Sequence, residues 1–215
     1  MQTTQMIPQL VLLLIVLSSF AVLGTTRLST CIRALAVQGA LLGVLPIALA
    51  SHLSLHTIAL AVGTVAVKAV VLPWFLAWAI REAAVRREIE PIVGFTGSLV
   101  LGALALVLAF AISAHLPPLA AKESLLVPVS LATVMIGFIV LTSRRKAVTQ
   151  VVGYLMLENG IYLFGLTQAE RVPFLLELGV LLDVFVGVFI MGIVVFHINR
   201  EFDSLDSSRL TELRD

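Results

Sequence analysis

Long apolar runs broken by short polar stretches repeat along almost the whole chain. Seven such runs lie at about 7–24, 34–50, 57–80, 92–114, 125–141, 148–166 and 174–198. Each approaches the roughly 20 residues that a helix needs to cross a hydrocarbon core. None shows the period-two alternation of a barrel strand, and a backbone in lipid must satisfy its own hydrogen bonds. The pattern therefore predicts an all-α membrane protein with about seven transmembrane helices.

The basic residues give those helices a direction. Arg27 and Arg33 fall in the first loop, Arg81, Arg86 and Arg87 in the third, and Arg144, Arg145 and Lys146 in the fifth; Arg200, Arg209 and Arg214 are in the tail. The even loops hold only Lys122 and Arg171. The positive-inside rule then places the N-terminus outside and the C-terminus inside. Six or eight spans would scramble this alternation. The leading MQTTQM has no Lys or Arg, which a signal peptide requires, so 7–24 reads as a retained first span. The chain divides into a four-helix membrane region (1–123), a three-helix membrane region (124–199) and a polar cytoplasmic tail (200–215). The mixed-charge loop 81–91 is a candidate seam, and Pro117 and Pro118 mark an outer turn. Gly94, Gly97, Gly102 and Gly137 suit close helix packing. Pro73, just beyond Lys68, frees a backbone carbonyl.

Composition narrows the function. The 215 residues are 60% hydrophobic and 13% charged, with a mean hydropathy of +1.09; soluble domains are nearer 45–50% apolar and about 25% charged. No soluble stretch is long enough for a catalytic domain. A net charge of +1 gives no reason to expect nucleic acid. The single cysteine, Cys31, excludes an intrachain disulfide and a Cys-ligated iron–sulfur cluster. There is no phosphate-cradling glycine loop, nucleophile elbow or metal-ligand cluster. The chain reads as non-catalytic, with no cofactor or metal of its own and the lipid bilayer as its surroundings.

Three charges stand out against that background. Lys68, Glu158 and Asp183 each interrupt an apolar run. At about 1.5 Å per residue, Lys68 is about 18 Å from either end of its span, Glu158 about 15 Å and Asp183 about 22 Å from their inner ends. A charge at such depth costs roughly 2.5–3.5 kcal/mol even on insertion scales, and usually marks an ion or proton path. The plainer readings are a structural salt bridge for Lys68 and a neutral, hydrogen-bonded acid for Glu158. Tyr154 and Tyr162 flank Glu158 at i±4, on the same face, where they can bond to the carboxyl or merely pack. Glu177 is nearer the outer surface and His197 is at the inner end of the last run, a candidate relay exit. Gln38, Gln150 and Asn159 can carry hydrogen bonds or water. His52 and His56 read as solvated loop histidines, and Trp74 and Trp78 as interfacial anchors.

The C-terminal part carries a resemblance. RRKAVTQVVGYLMLENGIYL, then DVFVGVFIM, then the tail DSLDSSRLTELRD resemble the small three-helix K-type subunit of respiratory complex I and the C-type subunit of multisubunit cation/proton antiporters. With Gly153 and Asn159 aligned, that family's usual membrane glutamate falls at Leu155, and the acid stands at Glu158 instead. Over its whole length the chain resembles the hydrogenase-4 component E family, on GYLMLENGIYL, PFLLELGVLLDVFVGVFIM and, in the N-terminal half, VKAVVLPWFLAWAIRE. The resemblance implies a subunit of a redox-driven, proton-translocating complex in the bacterial or archaeal cytoplasmic membrane. Lys68, Glu158 and Asp183 would then belong to a lateral proton path. Nickel–iron and iron–sulfur centres would sit in partner subunits, and antiporter-like subunits would be among the membrane neighbours. The alternatives are a subunit of a cation/proton antiporter and a purely structural membrane spacer.

Overall fold

A computed structural model of the chain describes residues 2–50, 52–82, 93–116, 125–145, 147–168, 179, 182–183 and 185–192. Its regular elements are all helices: α1 (Gln2–Gly24), α2 (Leu28–Leu49), α3 (Leu55–Thr64), a π-helical segment (Val65–Val71), α4 (Leu72–Glu82), α5 (Phe95–His115), α6 (Leu126–Ser143) and α7 (Ala147–Thr167). α3, the π segment and α4 are continuous. Among the described residues, five helices are long and apolar enough to cross a membrane: Met6–Gly24, Leu28–Leu49, Leu55–Arg81, Phe95–His115 and Leu126–Ser143. This is a multi-pass membrane protein. α7 matches its predicted span, but Gln150, Glu158 and Asn159 dilute its apolar character. Of the last predicted span, the described residues at 182–183 and 185–192 are helical. Glu177, His197, the turn at Pro117 and Pro118, the tail, and loop 81–91 beyond Glu82 lie outside the described residues.

Two expectations change. α2 starts at Leu28, so Arg33 is an exposed residue on the helix and not in a loop. The third span does not simply lose a hydrogen bond at Pro73. The backbone widens into a π turn over Val65–Val71, where the Leu72 N–H reaches the Val67 carbonyl five residues back. Pro73 has no N–H to give the preceding turn, and the wider register redistributes the carbonyls. Lys68 is the middle residue of the span Leu55–Arg81 and sits in this widened turn.

Glycines set how closely the helices approach. α6 packs along α7, where a Cβ on Gly153 would run into the Leu141 backbone and one on Gly137 into the Leu157 backbone. Gly39 lays α2 directly on the π segment, and a Cβ there would lie 2.6 Å from the Lys68 carbonyl carbon and oxygen. Of the glycines singled out in the sequence, Gly102 faces Leu23 and Phe20 across the α1–α5 contact. Gly94 faces nothing within 4 Å, and Gly97 meets only the Val93 side chain. Gly39→Ala should push α2 off the π segment and cost about 1–3 kcal/mol, the range for overpacking. Thermal denaturation of the purified protein should show the loss, while Gly63→Ala, with open space around it, should be silent.

The interior is apolar at two levels. Val22, Leu35, Leu72, Leu76, Ile136, Val152 and Met156 fill one. Leu12, Ile15, Leu42, Leu45, Val129 and Leu163 fill the other. Between them the helices turn polar residues inward: Ser18 and Ser19 on α1, Gln38 on α2, Thr64 and Lys68 on the third span, Thr133 on α6, and Glu158 and Asn159 on α7, all buried. Outward-facing apolar side chains such as Leu17, Val62, Leu104, Val107 and Phe138 are exposed, as lipid contact requires.

Candidate functional site

The polar layer gathers on Lys68. Its ammonium donates to Glu158 Oε1 at 2.5 Å and to Asp183 Oδ1 at 2.9 Å. Lys68 is 4% exposed, Glu158 1% and Asp183 3%, so the cluster is closed off within the bundle. The structure therefore brings together the three charges that interrupt the apolar runs. Lys68 comes from the π segment, Glu158 from the middle of α7 and Asp183 from the helical residues that follow. One ammonium faces two carboxylates, so the fully ionised cluster would carry a net charge of −1. Glu158 Oε2 is buried and has no hydrogen-bond partner among the described residues.

The tyrosines divide. Tyr162 does not bond to the Glu158 carboxyl; its hydroxyl is 3.0 Å from Thr64 Oγ1, and its ring lies 5.7 Å from Lys68 Nζ. It holds the third span against α7 and gives the ammonium an aromatic face. Tyr154 is half-buried and lines an apolar cavity of about 470 Å³ together with Gln150, Phe185 and Phe189. Gln150 also donates to the Arg144 carbonyl at 3.1 Å, tying the start of α7 to the end of α6. Trp74 is exposed and packs edge-on against Phe75. His52 and His56 are exposed.

A second part of the layer is uncharged. Asn159 Nδ2 donates to Gln38 Oε1 at 3.0 Å, Gln38 Nε2 donates to Ser19 Oγ at 3.0 Å, and Ser19 Oγ donates to the Ile15 carbonyl at 3.0 Å. The chain links α7, α2 and α1 at the depth of the ion cluster.

The whole-length comparison decides membership. The uncharacterized protein Rv0085 of Mycobacterium tuberculosis (strain ATCC 25618 / H37Rv) is 36% identical over 204 residues, covering 94% of this chain and 93% of that protein. The chain belongs to the Rv0085 family. It is also similar to hydrogenase-4 component E of Escherichia coli (strain K12), 28% identical over 148 residues, 68% of each chain. The component E of Shigella flexneri matches to the same extent. No family model and no solved structure matches the chain.

Sequence reasoning about this Rv0085-family chain placed Arg144 in a basic loop, and its environment differs. Arg144 is only 2% exposed, donates to the Leu23 carbonyl at 3.1 Å and sits over the Phe95 ring at 5.6 Å. Burial pushes its pKa below the ordinary arginine value, with a smaller opposing pull from Cys31. Arginine stays charged over the physiological range regardless. The contacts put the ends of α1 and α6 and the start of α5 on one face of the bundle, the face that also carries Arg27. No sequence signal separates a buried arginine from a solvated one in a short basic turn.

Proposed function

We propose that this chain is a membrane-arm subunit of a hydrogenase-4-like, redox-driven complex and that Lys68, Glu158 and Asp183 form a one-proton store in a lateral proton path. The observation that carries this is the charge imbalance of the cluster. A single buried lysine between two buried carboxylates is one positive charge short of neutrality. Burying net charge costs several kcal/mol, so a neutral cluster holds one further proton. A site that is neutral with the proton and charged without it exchanges protons when a neighbouring charge moves. The polar layer lies across the helices, not along them, which suits transfer between subunits side by side in the bilayer.

The similarity to hydrogenase-4 component E supports the assembly. In this reading seven helices cross the bacterial or archaeal cytoplasmic membrane, with the N-terminus outside and the tail inside. Residues 1–123 form a four-helix region and 124–199 a three-helix region like the K-type subunit of complex I. Lys68 from the first is bonded to Glu158 from the second, which makes the two regions one site. Glu177 and His197 would extend the path toward the two surfaces. Nickel–iron and iron–sulfur centres would belong to partner subunits. The test is purification of the native complex through a tag on this chain. It should contain iron and nickel, and in liposomes it should move protons in step with electron transfer. A complex free of redox metals that exchanges cations for protons would replace this reading with an antiporter subunit.

A further inference from the structure

The two parts of the polar layer, the ion cluster on Lys68 and the amide chain on Asn159, stop just short of each other. The Ile15 carbonyl can only accept, so Ser19 Oγ–H donates to it. Ser19 Oγ then accepts from Gln38 Nε2, which turns Gln38 Oε1 toward Asn159 as an acceptor. Asn159 must therefore offer its NH₂ to Gln38, which leaves its Oδ1 to accept elsewhere. On the other side, Lys68 has three N–H donors. Two go to Glu158 and Asp183, and the third has no oxygen or nitrogen acceptor among the described residues, with the Tyr162 ring 5.7 Å away. Lys68 and Asn159 line the same small cavity, bordered by Leu35, Leu72, Pro73 and Leu155. Its volume of about 10 Å³ is near the least that holds one water. The cavity is thus lined by the residue that carries a spare donor, the residue that carries a spare acceptor, and apolar residues elsewhere.

We infer that this cavity is a binding site for a single ordered water that accepts from Lys68 Nζ and donates to Asn159 Oδ1. The water makes Asn159 and Gln38 positioning residues of the ion cluster. Gln38 fixes which way the Asn159 amide points, and Asn159 fixes the water that holds the third Lys68 proton. When a proton reaches Glu158 and its bond to Lys68 weakens, the water and Asn159 keep the ammonium in place. The role in proton movement rests on the reading of the cluster as a proton store; the water itself does not.

A high-resolution cryo-electron microscopy map of the native complex tests the site directly. It should show a density peak within about 3 Å of Lys68 Nζ and of Asn159 Oδ1, and the peak should vanish in Asn159→Leu. The complex carrying Gln38→Leu should assemble, translocate protons about tenfold more slowly and show a shifted pH profile, because the Asn159 amide is no longer held. Loss of a hydrogen bond worth about 1.4 kcal/mol in the transition state corresponds to that tenfold change. A map that resolves other buried waters but none here overturns the inference, as does an unchanged rate and pH profile in both variants. A water at this position in a complex whose Glu158→Gln variant still translocates protons would leave the site standing and remove the proton store.

Discussion

Lys68→Met should be the most damaging single substitution in the protein. Methionine fills similar volume, so the loss is of charge and donors, not of packing. Glu158 and Asp183 would then be left without the cation that both of them contact. Removing one partner of a buried ion pair costs about 3–5 kcal/mol, because the other charge stays buried and unpaired. Much of the stability of a typical domain would be gone, since that is only about 5–15 kcal/mol. The variant should accumulate poorly in membranes and lose thermal stability in detergent. Relief should come from neutralising the acids. Lys68→Met combined with Glu158→Gln and Asp183→Asn should recover abundance, because two amides can hydrogen-bond to each other without a counterion. It should not recover proton movement. Abundance measured by immunoblot and thermal unfolding of the purified protein check both halves of the expectation. Full abundance of the single variant would show that the cluster contributes nothing to holding the third span against α7.

The helices were legible because lipid leaves the backbone little choice. Long apolar runs placed α1, α5, α6 and α7 to within a few residues. The errors fell where a second influence enters. Arg33 is polar enough to look like a loop residue, yet it extends α2 because its side chain points outward. Pro73 signals a broken hydrogen bond but not how the chain repairs it, with a π turn at Lys68 that packs directly on Gly39. Lys68, Glu158 and Asp183 were visible because a charge in an apolar run is rare. Their meeting on one ammonium was not, since it depends on which helices are neighbours. Ser19, Gln38 and Asn159 carried almost no signal as a set. Uncharged polar residues in a membrane helix often bond to their own backbone, as Ser18 and Thr133 do here. Only the fold distinguishes those from the ones that bridge helices. Gly102 and Gly137 are tight as expected, but Gly39 and Gly153 look like any other glycine until a facing backbone is placed against them.

Glu158→Gln should have the opposite signature to Lys68→Met, with a stable protein and lost function. Glutamine keeps the size of the side chain, and its carbonyl can still accept from Lys68 where Oε1 does now. The buried, unpartnered Oε2 position becomes an NH₂, and the cluster becomes one ammonium with one carboxylate. Its charge is balanced without an extra proton, so assembly should continue, as should electron transfer in the partner subunits of the proposed complex. What disappears, on the proposed reading, is the group that takes up and releases the proton. Removing a positioned acid or base typically lowers the rate of proton transfer on the order of a hundredfold or more. Proton uptake into liposomes containing the complex should fall by about that factor, while the hydrogen-linked electron-transfer rate changes little. Asp183→Asn, made in the same way, distinguishes the roles of the two acids. If either acid can hold the proton, each single variant retains part of the translocation and only the double variant abolishes it. If Glu158 holds it alone, Asp183→Asn translocates protons and Glu158→Gln does not. The burial of Glu158 Oε2, with no donor to satisfy it as a carboxylate, favours the second outcome. Undiminished translocation in the double variant would mean that the cluster is a structural clamp and that protons cross elsewhere.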